Sequence, residues 1–479
     1  MKSLLLSFSR APGILAGFLV LVLFYGCQKN ILDTEIDPIM DVSADALQIA
    51  KISNCIVISK SETLPAGFET KLSAYGKIVR TIPEIGVAVV KPATSKSESQ
   101  IAGLSDVLAV VPDLNARWIE PLEFINEANP PSIGSDEPYF WYQWGMDAIN
   151  APEAWNAGHT GKTAKVFILD SGIDAEHPDL APNLNKELST SFVPGETYNI
   201  KDSIKSYFHH GTHVAGIVAA ANNKYGVIGV APEAEIIAVK VLSEKTGSGA
   251  FSSINAGIVY AANNGADVIN MSLGATFYRN GFFVDDDGVL QKVPAVYFQN
   301  LIIAQQRAID YAYKKGVVIV TSAGNDGISL DGNGSLFKLP ADLNNVISVS
   351  ATAPDYWYKD LVYGIIPLLD IPSSYTNYGK SLVDIAAPGG DFDFYPEPNY
   401  HYDMVLSTIS GGWGWAAGTS MATPHVAGVA ALIIAKNGGT ITPQELTKQL
   451  YNTADKIDGN GVSEYYGNGR VNAYRAVTE

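Results

Sequence analysis

The chain has 479 residues, of which 47% are hydrophobic and 17% charged, with a formal net charge of −17. That balance belongs to a folded protein with a large core and accessory parts, and it excludes a disordered chain. It also speaks against nucleic acid as a partner, because phosphate binding calls for a basic face. The only two cysteines, Cys27 and Cys55, lie near the N-terminus, so everything beyond Cys55 folds without disulfides.

In chain order, residues 1–27 read as a targeting segment. Lys2 and Arg10 supply positive charge, and Ile14 to Tyr25 is an apolar run. That run is short of the roughly 20 residues needed to cross a bilayer core. Gly26-Cys27 ends it, and the polar Gln28-Lys29-Asn30 follows. The pattern resembles a bacterial lipoprotein signal, which implies cleavage before Cys27 and a lipid anchor on its thiol. The protein is then exported, to the outer membrane or cell surface or into the medium after processing. A plain signal peptide or an uncleaved anchor remains the alternative reading of the same residues. Residues 28–50 are polar and suit a tether.

Residues 51–112 alternate short β-prone and helical runs. Cys55 to Ile58, Lys77 to Ile82, Gly86 to Val90 and Val107 to Val111 read as strands, and Leu64 to Tyr75 and Ser95 to Leu104 as helices. The order β-α-β-β-α-β predicts a small α+β unit. Residues 113–138, with Pro121, Pro130, Pro131 and Pro138, read as an exposed linker.

From Tyr139 to residue 479 the chain predicts one larger domain. Lys165 to Leu169, Glu235 to Leu242, Asp267 to Leu273, Val317 to Thr321, Val346 to Ser350 and Val383 to Ala387 are nearly continuous apolar strands. Helical runs lie between them, at His213 to Ala221, Ser252 to Asn264 and Leu301 to Lys314. Strands apolar on both faces, alternating with helices, predict a mainly parallel sheet covered on both sides. Ligands bind such folds at the carboxyl ends of the strands, where Asp170 and Asn325 fall. Thr442-Pro443-Gln444-Glu445 predicts a capped closing helix.

Three segments carry chemistry together: Asp170-Ser171-Gly172, His210-Gly211-Thr212-His213, and Gly418-Thr419-Ser420-Met421-Ala422. Serine attacks a carbonyl only when a base takes its proton, and that base needs a third group to hold its tautomer. Ser420 also opens an apolar helix, where the field favours a developing anion. His209, His210 and His213 could be read as metal ligands, but no His-Glu-x-x-His motif accompanies them. His159, His177, His401 and His425 read as structural.

In order and nearly residue by residue, the three segments resemble the signatures of subtilisin-like serine peptidases. The likeness covers about residues 144–477, including the closing Tyr466-Gly467-Asn468-Gly469-Arg470. It implies a three-layer α/β fold, preceded by a ferredoxin-like propeptide at 51–112 that assists folding and then inhibits. Ser420 is then the nucleophile, His210 the general base and acid, and Asp170 its orienting carboxylate. Asn325, in Ser322-Ala323-Gly324-Asn325, would donate to the oxyanion beside the Ser420 N–H. Polypeptide substrates would pair with Gly247-Ser248-Gly249 and Ser272-Leu273-Gly274.

The chemistry implied needs no cofactor. A structural calcium is implied at Asp179 and Asn223, with carbonyls of Tyr225 and Val227; of the residues near the mature N-terminus, Phe140 or Gln143 falls where a further ligand is expected. Residues 276–300 depart from the family pattern as an insertion, and its Asp285-Asp286-Asp287-Gly288 reads as a solvated loop. Lys338 reads either as a solvated lysine or as a residue near the floor of the primary specificity pocket. In the second case, acidic side chains before the scissile bond would be favoured.

Overall fold

The computed structural model describes residues 54–479 apart from 95, 120–136, 201–208, 286–287, 359–363, 365–366 and 460. The targeting segment, the tether and Cys27 lie outside the described residues. Among those described, no helix is long and apolar enough to cross a membrane.

The first strands are β1 (Cys55–Ser59), β2 (Gly76–Ile82), β3 (Val87–Pro92) and β4 (Val107–Pro112). They form one antiparallel sheet in the order β2-β3-β1-β4. Side chains alternate between the faces of a strand, and here both faces are used. Cys55 and Val57 pack under the helices Phe68–Ser73 and Ser97–Ala102, with Phe68, Leu72 and Ile101. Ile56, Ile58 and Val87 point the other way, into the core of the larger domain. That second face explains why β1 reads as a continuous apolar run rather than an alternating one. Polar contacts fix the docking: Arg80 donates to the carbonyls of Ser252 and Phe192, and Arg307 to that of Ser59.

Next comes β5 (Asn115–Arg117), inside the stretch expected to be an exposed linker. Residues 113–119 are not exposed in that way: Ala116 and Trp118 are 0% and 1% accessible. Prolines and glutamates further along dominated the composition of residues 113–138, and they hid a three-residue strand whose partner lies over a hundred residues away.

The larger domain continues with β6 (Lys165–Asp170), β7 (Thr190–Ser191), β8 (Glu235–Lys240), β9 (Ser248–Ala250), β10 (Val268–Met271), β11 (Ala275–Tyr278) and β12 (Phe282–Val284). It goes on with β13 (Leu290–Lys292), β14 (Val318–Ser322), β15 (Leu336–Leu339), β16 (Ile347–Ala353), β17 (Ile371–Pro372) and β18 (Ile385–Pro388), and a two-stranded hairpin of Val405–Ile409 and Gly412–Ala416 follows. The central sheet runs β17-β16-β14-β10-β6-β8-β7, with β18 also beside β16. All its pairs are parallel except β16 with β17.

Period-two alternation divides this sheet between two cores. Val166, Ile168, Val318 and Val320 face the helices His210–Ala219 and Thr419–Lys436. Phe167, Leu169, Val317 and Ile319 face the helices Phe251–Asn263 and Ala295–Lys314. The result is the three-layer α/β sandwich expected of a mainly parallel sheet. The closing helix Pro443–Thr453 carries the full capping box of Thr442 and Glu445.

Candidate active site

Asp170 is the last residue of β6, at the carboxyl edge of the sheet. His210 is the first residue of its helix, and Ser420 the second of the helix Thr419–Lys436. The two helices pack side by side on one face of the sheet, which brings residues 210 positions apart in sequence to one edge.

The His210 Nδ1 lies 2.9 Å from Asp170 Oδ1 and 2.9 Å from Oδ2. Both side chains are almost fully buried, at 2% and 1% exposure. A histidine held this way donates its Nδ1 proton to the carboxylate and leaves Nε2 as the basic nitrogen. Asp170 is itself held, since Oδ1 accepts the Ser171 N–H at 2.6 Å. Gly211 makes the approach possible. A Cβ there would sit 2.3 Å from the Gly172 carbonyl and 3.1 Å from Asp170 Cβ.

The Ser420 hydroxyl is turned to the Ser272 carbonyl at 3.2 Å, and Ser272 Oγ donates back to the Ser420 carbonyl at 2.8 Å. Asn325 follows β14 and is exposed. Its Oδ1 accepts from the Thr419 N–H at 2.9 Å and from Thr419 Oγ1 at 2.7 Å. Those two donors assign the amide, so its NH2 is the end left for a ligand. Gly324, at φ +102°, supplies the turn that a side chain would obstruct, because Lys338 Cε lies 2.4 Å from where its Cβ would be.

The two segments expected to bind a substrate main chain are occupied by the chain itself. β5 pairs antiparallel with β9, setting Ala116 opposite Gly249 and Arg117 opposite Ser248. Trp118 then donates its indole N–H to the Gly249 carbonyl at 2.7 Å, and its own carbonyl accepts the Gly274 N–H at 2.7 Å. Residues 115–118 thus lie between Gly247-Ser248-Gly249 and Ser272-Leu273-Gly274. This is the geometry of an added strand.

Three buried groups near the site have roles that the sequence missed or left open. Lys240, at 0% exposure, ends β8 and donates to the Ser171 carbonyl at 2.6 Å while pairing with Glu196 and Glu244. It braces the turn that follows Asp170. Lys338 is only 6% exposed, so it is not a solvated lysine. Its Nζ lies 2.9 Å from Asp326 Oδ2 and 3.0 Å from Thr276 Oγ1, and its stem crosses between Gly274 and Gly324. The ammonium holds the Asp326 carboxyl below its usual range against the opposing cost of burial. His213 donates towards the carbonyls of Val405 and Gly414, and burial pushes its pKa down to about 3. It is a neutral packing residue rather than a metal ligand.

The expected calcium residues meet only in part. Asp179 Oδ2 accepts the Val227 N–H at 3.0 Å and the Trp413 indole N–H at 2.7 Å. Val227 therefore reaches Asp179 through its N–H rather than its carbonyl. Asn223 Nδ2 donates to the Pro178 carbonyl, which leaves its side-chain oxygen open. Asp179 Oδ1 is buried and has no hydrogen-bond partner among the described residues. An orphaned carboxylate oxygen of that kind fits a hard cation. Glu137, rather than Phe140, sends its side chain to this loop. Its carboxylate accepts the N–H groups of Lys224, Tyr225 and Gly226. Gln143 bonds the neighbouring Ile228 instead.

Residues 161–469 match the subtilase family, Peptidase_S8. Over 418 residues the chain is 34% identical to the thermophilic serine proteinase of Bacillus sp. (strain AK1), covering 86% of each. It is 37% identical over 346 residues to thermitase of Thermoactinomyces vulgaris, which spans 71% of this chain and 98% of thermitase. The solved epidermin leader peptide processing serine protease (EpiP) of Staphylococcus aureus superimposes with a TM-score of 0.69 at 27% identity, covering 88% of this chain and 97% of that one. The chain belongs to the subtilase family. It is a subtilisin-like serine endopeptidase, acting on polypeptides.

Proposed function

We propose that this endopeptidase works through Ser420, His210 and Asp170 and is made as an inhibited precursor. The observation that carries the triad is the buried pair of His210 Nδ1 and Asp170 at 2.9 Å, on the same edge as Ser420. As a substrate carbonyl enters, the Ser420 hydroxyl leaves Ser272 and gives its proton to His210 Nε2. Its oxygen attacks the carbonyl carbon, and the oxyanion takes hydrogen bonds from Asn325 Nδ2 and the Ser420 N–H. His210 then protonates the leaving amine, and water hydrolyses the acyl-enzyme by the same steps in reverse.

Residues 51–112 act as the propeptide. Support comes from the β1–β4 sheet docked on two helices of the larger domain and from residues 115–118 seated along the cleft. Maturation cuts the chain beyond Ile119 and before Glu137, whose carboxylate holds residues 224–226 and belongs to the mature enzyme. Cys27 carries the lipid that anchors the exported precursor, and Cys27→Ser is expected to abolish membrane fractionation.

A calcium ion would be held by Asp179 Oδ1, the Asn223 side-chain oxygen and the Tyr225 carbonyl, and would stabilise the loop of residues 222–227. Chelator is expected to lower the melting temperature of the wild type and to leave that of Asp179→Asn unchanged. The deciding experiment for the whole reading compares wild type with Ser420→Ala. The wild type shortens by self-cleavage and hydrolyses casein; the variant stays full length and inert. A variant that still matures would take self-processing away.

A further inference from the structure

The helix that carries Ser420 holds a proline one turn further on. In an α-helix the carbonyl of each residue accepts the N–H four positions later, so the Ser420 carbonyl calls for the N–H of residue 424. That residue is Pro424, inside the helix Thr419–Lys436, and proline has no N–H to give. Its ring also crowds the carbonyl four residues back. The nucleophile's own carbonyl therefore loses its helical partner, and Ser420 is only 7% exposed. A carbonyl buried in that way needs a donor from another element.

The donor is Ser272. Its Oγ lies 2.8 Å from the Ser420 carbonyl oxygen, which can only accept, so the hydroxyl proton points there. A lone pair of the same hydroxyl accepts from Asn270 Nδ2 at 3.0 Å. Both residues are 0% exposed. Asn270 lies in β10 on the face it shares with Val268, which packs in the core of the helices His210–Ala219 and Thr419–Lys436. Just past the strand, Ser272 reaches the second of those helices. The neighbouring peptide is fixed separately. The Thr419 carbonyl accepts from Thr423 Oγ1 at 2.8 Å, and the Thr419 N–H is held by Asn325. With a carbonyl anchored on each side of its Cα, Ser420 has both backbone torsions set, and with them the directions of its N–H and its Cβ.

We propose that Ser272 is a positioning residue for the nucleophile, its hydroxyl standing in for the N–H that Pro424 lacks and oriented by Asn270. The nucleophile is thereby referenced to the central sheet rather than to its own helix. Ser272-Leu273-Gly274 is also the segment expected to pair with a substrate main chain, so one piece of backbone places both the attacking oxygen and the carbonyl it attacks. Such placement matters at the scale of an ångström or less. The proposal rests on the triad reading above.

The test measures kcat and KM on one peptide substrate, with active sites counted by a serine-directed phosphonate. It compares matured wild type, S272A, P424A and S272A/P424A. In the wild-type background S272A is expected to lose about 10- to 100-fold in kcat with KM changed by less than about twofold, the loss that a small misplacement produces. Alanine at 424 returns an N–H to the helix, so in the P424A background the same change should cost no more than about threefold. Asn270→Ala should lower kcat in the same direction by less, and P424A should relieve that loss too. A kcat that S272A leaves unchanged overturns the proposal, and so does a loss of equal size in both backgrounds, which would make Ser272 a packing residue. If S272A does not mature, the double variant decides: recovered maturation supports the proposal and continued failure overturns it. If the wild type cleaves no peptide and no casein, the peptidase reading falls instead, and the role of Ser272 falls with it.

Discussion

Trp118 gives its indole N–H to the carbonyl of Gly249, 2.7 Å away, and so locks a piece of the chain's own N-terminal region onto a strand of the cleft. The contact joins residues 131 positions apart. Trp118→Ala would remove a fully buried side chain, a change that costs about 3–5 kcal/mol in protein cores. The uncut precursor of that variant is expected to react faster with a serine-directed phosphonate than the uncut wild type. Equal labelling rates would separate the strand from the masking of Ser420.

Asp170 acts on His210 by fixing its tautomer, and Asp170→Asn offers an N–H where an acceptor is required. Turnover is expected to fall by about 10⁴ with little change in KM. Asn325 has two jobs, holding Thr419 through Oδ1 and donating through Nδ2. Asn325→Ala should lower kcat by about 10²–10³. Asn325→Asp keeps the acceptor for Thr419 and replaces the donor with a negative oxygen, so it is expected to be at least as damaging. An active Asn325→Asp enzyme would mean that the amide serves only Thr419.

Stability should depend on pH in two opposed ways. His213 and His425 are buried neutral, and burial takes their pKa values down to about 3 and about 4 from an ordinary 6.5. Between those values the unfolded chain binds protons that the native one does not, so stability falls as pH drops from 6.5. Asp403 is the reverse case. Burial raises it from 3.8 to about 7, and its contribution is present below 3.8 and lost as pH rises through 7. Asp403→Asn is thus expected to melt higher than wild type at pH 8 and to converge with it below pH 4. The acid limb set by the histidines should remain in both. Melting temperatures across pH 3–9 decide it.

Lys338 fills space between Gly274 and Gly324 and brings a cation to Asp326, the residue after Asn325. Lys338→Met keeps most of the stem and removes the charge. Cleavage after apolar residues should rise and cleavage after Glu should fall, as read from the products of a peptide library. An unchanged profile would assign Lys338 to bracing Asp326 and Thr276 alone.

The triad was legible because each member sits in a compact local signature, carried on a strand and two helices that are apolar nearly all round. The β-α-β-β-α-β order of residues 55–112 was legible because short β-prone and helical runs alternate there. What the sequence hid were pairings between distant segments. Nothing local distinguishes Asn115-Ala116-Arg117 from a linker until β9 lies beside it. The solvated reading of Lys338 stood beside the pocket reading because its partners, Asp326 and Thr276, are 12 and 62 residues away. Glu137 looked like part of a proline-rich linker until three backbone N–H groups converged on it.

On the processing proposed above, a cut beyond Ile119 would open the chain but leave residues 115–118 hydrogen-bonded along β9 and Gly274, with the whole β1–β4 sheet behind them as an anchor. Severance and release are then separate events. A freshly cut molecule would then stay silent until its fragment dissociates or is digested by a molecule already free. Such a population starts slowly and then accelerates, with a lag that shortens as enzyme concentration rises or as a trace of mature enzyme is added.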